Sequence, residues 1–192
     1  TKSEGTTGVI LKGSSQVFTK NNVAKINLKN HTYGIVDIGE GNTINSNGSS
    51  SILGNNSTYI YSKDSTGVVN NSTNIDSNGN TGENFGIYSN GTVNNSGRIN
   101  LIKGYGNVAI YSYGGTSTNS GEINVADSDV AKKLYNMGMV AGYTEGHSPV
   151  TETISTIIPK YTGSIVNTGN INVNGKNGIG MYATGNGSSA TN

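Results

Sequence analysis

The chain has no cysteine, no tryptophan and only 2 prolines in 192 residues. The absence of cysteine removes disulfides, thiolate metal sites and a cysteine nucleophile. It leaves the compartment open, since a cytosolic chain and an exported bacterial chain that folds only outside the cell both fit. Charge is also scarce: 12% of residues are charged and the formal net charge is +1. Neutralising a nucleic-acid backbone needs clustered lysine and arginine, so nucleic acid is excluded as the main partner. No apolar run approaches the roughly 18 residues of a membrane helix. No signal-peptide pattern is visible at Thr1, which is expected to be a mature or recombinant terminus. Hydrophobic residues, glycine left out, make up 32%, against roughly 45–50% apolar residues, glycine included, in average domains. Such a value alone reads as disorder, but disorder usually accompanies high net charge, which is missing.

What the chain does have is 29 glycines, asparagine in similar number, and regularly spaced Ile, Val and Tyr. Asn95–Leu101 (NSGRINL) returns 24 residues later as Asn119–Val125 (NSGEINV). A fixed period of this length marks stacked repeats. Three short strands per period can be traced. The first is marked by Ile10, Val36, Tyr61, Tyr88, Tyr111, Val140 and Tyr182. The second is marked by Ile26, Ile52, Ile75, Ile99, Ile123 and Ile171, and the third by Ile44, Val69, Val93 and Val166. All are bounded by Gly/Asn/Ser turns. The expected fold is all-β: a single right-handed parallel β-helix over 1–192, with about seven coils of about 24 residues and a length of ~34 Å.

Strand alternation assigns the faces. Phe85, Ile87 and Ser89 fall on one side, as do Val108, Ile110 and Ser112; Met137, Met139 and Ala141; and Ile179, Met181 and Ala183. These are expected inside, with Ile99, Leu101, Ile123, Val125, Ile171 and Val173. Asn100, Asn124 and Asn172 then face water. A one-residue slip would expose every isoleucine. Asn71, Asn95, Asn119 and Asn167 recur at one corner. They are either simple turn formers or a stacked amide ladder. Gly97, Gly121 and Gly169 follow two residues later, where a positive φ is expected.

Two stretches break the period. In Ala126–Asn136, Ser128 is expected to cap one or two helical turns carrying Val130, Ala131 and Leu134. The larger break is an insertion at 143–163, expected to protrude as a loop or hairpin and holding both prolines. Insertions in repeat arrays map to one face, often the binding face. Tyr143, Glu145, His147, Lys160 and Tyr161 are therefore candidate ligand or partner contacts. Tyr61, Tyr88 and Tyr111 are the others, since they stack on successive coils at the outward position. Three readings of that stripe stand: like-on-like packing, an exposed aromatic platform, or a surface covered by the insertion.

Catalytic signals are thin. The two histidines are far apart, and Glu40, Asp64, Asp76, Glu83, Glu122 and Asp127 fall in different parts of different coils. A glycosidase or lyase needs acidic or basic residues gathered on one face. Asp127-Ser128-Asp129 lacks the remaining calcium-loop ligands, and Gly104-Tyr105-Gly106 reads as a turn. No catalytic residue, metal or cofactor is expected.

The motifs Asn167-Thr168-Gly169-Asn170-Ile171-Asn172-Val173 and Gly180-Met181-Tyr182-Ala183-Thr184-Gly185 resemble those of large bacterial autotransporter passengers. The Asn/Lys/Ile-rich vocabulary is similar to the RadD-like fusobacterial outer-membrane adhesins. The likeness covers about 17–142 and 164–192. It implies a monomeric cell-surface adhesin passenger, exported by autotransport and attaching to a protein or glycan of host cells or other microbes. Membrane attachment would come only through a C-terminal barrel outside this chain. The alternatives are a passive spacer that projects a distal tip, and a polysaccharide-acting enzyme.

Overall fold

The computed structural model describes residues 6–77, 82–142 and 161–192. Within them there are 20 strands and no helix. They form two sheets of seven strands and one of six. The first sheet contains Thr6–Leu11, Thr32–Asp37, Thr58–Ser62, Phe85–Ser89, Val108–Ser112, Met137–Ala141 and Ile179–Ala183. The first six coils each supply one strand to every sheet and the last supplies one to each seven-stranded sheet, and neighbouring coils pair in parallel. This is a three-sheet parallel β-helix of about seven coils. The protruding insertion expected at 143–163 lies almost wholly outside the described residues.

All seven outward markers of the first sheet are in register, from Ile10 through Val36, Tyr61, Tyr88, Tyr111 and Val140 to Tyr182. Inside, Ile35, Ile60, Ile87, Ile110 and Met139 form a fully buried column, as do Ile75, Ile99 and Ile123. Burying each such side chain stabilises by about 1.5–3 kcal/mol. Because a coil contributes only a few, the coils hold one another up.

The other two marker series need one correction each. Ile165, not Val166, fills the inward position of its strand, opposite Ser117. Ile52 pairs with Leu28, and Ser50 is the residue opposite Ile75. The cause of the second shift is Tyr59. Its ring is buried in the core, and its hydroxyl bonds Ser46 Oγ at 2.8 Å and Ser50 Oγ at 3.2 Å. A β-carbon on Gly34 would come within 3.3 Å of the Tyr59 ring. Two serines and a glycine therefore leave room for one tyrosine. At the position of Tyr59 in the next coil stands Gly86, where a β-carbon would meet Ile99 Cγ2 at 3.1 Å. Bulk is exchanged between the walls while interior volume stays constant.

Strict alternation fails in the first sheet. Phe85, Val108, Met137 and Ile179 pack with the outward cluster around Tyr111, not in the core. Pairing skips Gly86, Ala109, Gly138 and Gly180. At that bend two successive residues turn inward, as Ala109 and Ile110 do in the core. The residue before the bend is sent outside.

The corner asparagines form a ladder. Nδ2 of Asn71 donates to Oδ1 of Asn95 at 2.7 Å, Asn95 to Asn119 at 2.7 Å, Asn119 to Asn167 at 2.8 Å, and Asn167 to Asn192 at 2.7 Å. Each Nδ2 also donates to the carbonyl two residues on, at Thr73, Gly97, Gly121 and Gly169. Both donor hydrogens are thereby used in a buried site, where an unmade bond is costly. Gly97, Gly121 and Gly169 are absent from the positive-φ glycines, which corrects the expected backbone. They are glycine because coils touch there: a β-carbon on Gly121 would lie 2.2 Å from Gly97 O. The helical turn expected at Ser128 is also absent. Asp129 and Leu134 exchange backbone hydrogen bonds of 3.0 and 2.9 Å in a tight hairpin, with Lys133 at φ +57°. Ser128 Oγ instead accepts from Asn136 N at 2.9 Å and donates to Asn177 O at 2.8 Å.

Two predictions follow from this packing. Tyr59→Gly should cost about 3–5 kcal/mol of stability by opening a cavity, and Ser50→Ile about 1–3 kcal/mol by overpacking. The double variant should recover about 1–3 kcal/mol relative to their sum in urea denaturation; strict additivity would refute the exchange of bulk. Asn95→Ala, which orphans ladder groups on both sides, should cost at least about 2 kcal/mol. Asn94→Ala, in an exposed row, should cost under about 1 kcal/mol, and equal losses would show that the ladder has no special role.

Candidate functional site

The tyrosine stripe exists, but it is a packed aromatic spine. Ring centroids are 5.7 Å apart for Tyr33–Tyr61, 5.3 Å for Tyr61–Tyr88 and 4.8 Å for Tyr88–Tyr111. Phe85 meets Tyr88 edge-on at 5.4 Å. Tyr111 is only 1% exposed, among Val108, Met137 and Val140, and its hydroxyl donates to Gly142 O at 3.1 Å. Of the three readings of the stripe, like-on-like packing fits Tyr111 and the exposed platform does not: an outward position is not an open one, because Phe85 and Val108 turn out beside it. Tyr61 and Tyr88 are half-buried.

Of the insertion candidates, Tyr143, Glu145, His147 and Lys160 lie outside the described residues. Tyr161 is described, and its ring lies 4.0 Å from that of Tyr113. Tyr113, which sequence reasoning missed, joins Tyr161 to the spine through Tyr88 at 5.7 Å. Its place two residues after Tyr111, just past the strand end at Ser112 in Tyr-Ser-Tyr, was the available signal. Burial, the bond to Tyr161 and neighbouring phenols push the Tyr113 pKa upward; burial, then Tyr33, raises that of Tyr61.

A second surface lies where the chain passes from the six-stranded sheet to the first sheet. Turns of five successive coils line a cleft of about 830 Å³ there. Five coils span ~19 Å. Its walls include Asn56, Glu83, Ile102, Tyr105, Asp127 and Asn174. Much of this corner is in the left-handed region: Asn56 at φ +53°, Glu83 at +58°, Gly104 at +78° and Gly106 at +76°. For a residue with a β-carbon that conformation is strained and persists only where surroundings impose it. Here the turns are tied coil to coil. Asn56 N donates to Gly82 O at 3.1 Å, Glu83 N to Tyr105 O at 2.9 Å, and Gly82 N to Asn55 Oδ1 at 2.7 Å. Beneath them runs a row in which Ser57 N bonds Asn84 Oδ1, Asn84 N bonds Asn107 Oδ1, and Asn107 N bonds Asn136 Oδ1, at 2.8–3.1 Å.

The cleft is amphipathic. Ile102 and Tyr105 are 40% and 42% exposed. Asp127 Oδ1 accepts from Lys176 N at 2.6 Å. The side chains of Asn56, Glu83 and Asn174 make no hydrogen bond among the described residues. Glu83 and Asp127, which the sequence scatters over different coils, thus line one surface. Among the described residues no three His, Asp or Glu gather as a metal site. Arg98 pairs with Asp76 of the preceding coil at 3.0 Å.

The raised phenol pKa values have a testable sign. A folded-state pKa above the unfolded value of about 10 gives stability that is full below about pH 10 and lost as pH rises through the folded value. The unfolding free energy should therefore fall above about pH 10, and Tyr61→Phe with Tyr113→Phe should flatten that fall. An unchanged slope, with phenolate absorbance titrating as in a model peptide, would contradict the burial of these rings.

No family model matches the chain, and no curated protein and no solved structure matches it.

Proposed function

We propose that this chain is a segment of a cell-surface adhesin passenger, exported by autotransport, that attaches to a glycan or protein on host cells or other microbes without altering it chemically. The observation that carries this reading is the cleft of about 830 Å³ on the flank of the solenoid, where exposed apolar side chains and unpaired polar groups sit on a tied backbone. Clefts of that size, apolar with a few placed polar groups, are the usual form of a binding site. The repeat motifs add the likeness to autotransporter passengers. The chain acts as a single molecule in this reading, held to the membrane by a barrel outside it. The second reading is a passive spacer, favoured by the buried Tyr111, which makes the aromatic spine a stabilising element.

Beads carrying the purified chain should adhere to epithelial or bacterial cells above uncoated beads, and free chain should compete. A chain in which 143–160 are replaced by a Gly/Ser linker tests the insertion in the same assay. Absence of adherence to every cell type would reject the adhesin reading in favour of the spacer.

A further inference from the structure

We infer that the cleft at the corner after the six-stranded sheet is a binding site for a neutral, extended oligosaccharide lying across successive coils. Its biological use rests on the adhesion reading; its chemistry does not. Tyr105 and Ile102 present apolar surface to the solvent, and an amphipathic ring such as tyrosine suits the C–H face of a pyranose. Asn56 and Asn174 line opposite ends of the cleft, and an amide both donates and accepts, as a sugar hydroxyl does. Glu83, an acceptor when ionised, is fixed by its left-handed backbone at φ +58° and by its bond to Tyr105 O at 2.9 Å. A site tied down before binding loses less entropy when the ligand arrives.

Two other occupants fit less well. A peptide adding as a β-strand needs an unpaired strand edge. Along the cleft, the strands of both flanking sheets in the middle coils are paired on either side. An acidic polysaccharide would meet two carboxylates, Glu83 and Asp127, against one lysine, Lys103. The coil spacing of ~4.8 Å is close to the length of one pyranose unit in an extended chain. Each coil therefore offers one turn to one sugar, and affinity should rise with oligosaccharide length until the cleft is filled.

The test is an array of neutral hexose and N-acetylhexosamine oligomers of graded length, with sialylated and sulfated glycans beside them, probed with the full chain. Binding should appear for neutral oligomers and strengthen with length. Tyr105→Ala and Glu83→Gln should each weaken it tenfold or more, with unchanged melting, while Tyr105→Phe retains it. No binding to neutral oligomers, a preference for acidic glycans, or binding indifferent to Tyr105→Ala would overturn the inference. The bead assay separates the two claims. Adherence unaffected by Tyr105→Ala rejects the cleft and leaves the adhesin reading standing. Array binding without cell adherence upholds the cleft and rejects the adhesin reading.

Discussion

Everything in this molecule depends on one constraint: each residue lies one strand spacing, ~4.8 Å, from its counterpart in the next coil. Whatever occupies a position must tolerate a like neighbour. Aliphatic side chains do so by packing, which gives the buried isoleucine columns. Amides do so by hydrogen bonding, and the Asn71–Asn95–Asn119–Asn167 row turns a buried polar corner into a satisfied one. Charges do not, because like charges would stack. The low charge content of 12% is therefore a consequence of the architecture. Where two charges do face one another across a strand pair, Arg98 stands opposite Glu122.

The same constraint made much of the fold legible in the sequence. The outward markers of the first sheet were readable coil by coil because a turn and a strand recur together. Legibility failed where one coil compensates for another. Ser50 stands at an isoleucine position because Tyr59 enters the core from the next coil; the two lie on different strands, and neither position follows the repeat. It failed again at the bend at Gly86 and Ala109, where two successive residues face inward and period-two reasoning misplaces Phe85 and Val108. The corner glycines were recognised as obligatory for the wrong reason. Contact between coils, not left-handed backbone, forbids a β-carbon there.

The site was less legible than the scaffold. Aromatic rings at the outward position announced themselves, and the structure turns them into a spine with Tyr111 enclosed. The cleft gave no periodic signal. Glu83, Tyr105 and Asp127 come from turns of different lengths, and only stacking brings those turns side by side. Turns are where a solenoid can vary without disturbing its neighbours' core, so recognition belongs there on physical grounds.

The amide rows also have direction. In the buried ladder every Nδ2 points toward the C-terminal coil. In the exposed row on the same sheet, Asn94 donates to Asn70 and Asn70 to Asn45, toward the N-terminal coil. The inner and outer dipoles therefore oppose one another along the rod. A chain of this kind can lengthen or shorten by whole coils, since duplicating or removing a complete period joins donor to acceptor in both rows. A change in the length of a turn leaves the ladder whole, as the bond from Asn119 to Asn167 across 48 residues shows. Growth of such a protein over generations is thus counted in coils and not in residues, with the asparagine rows marking the count.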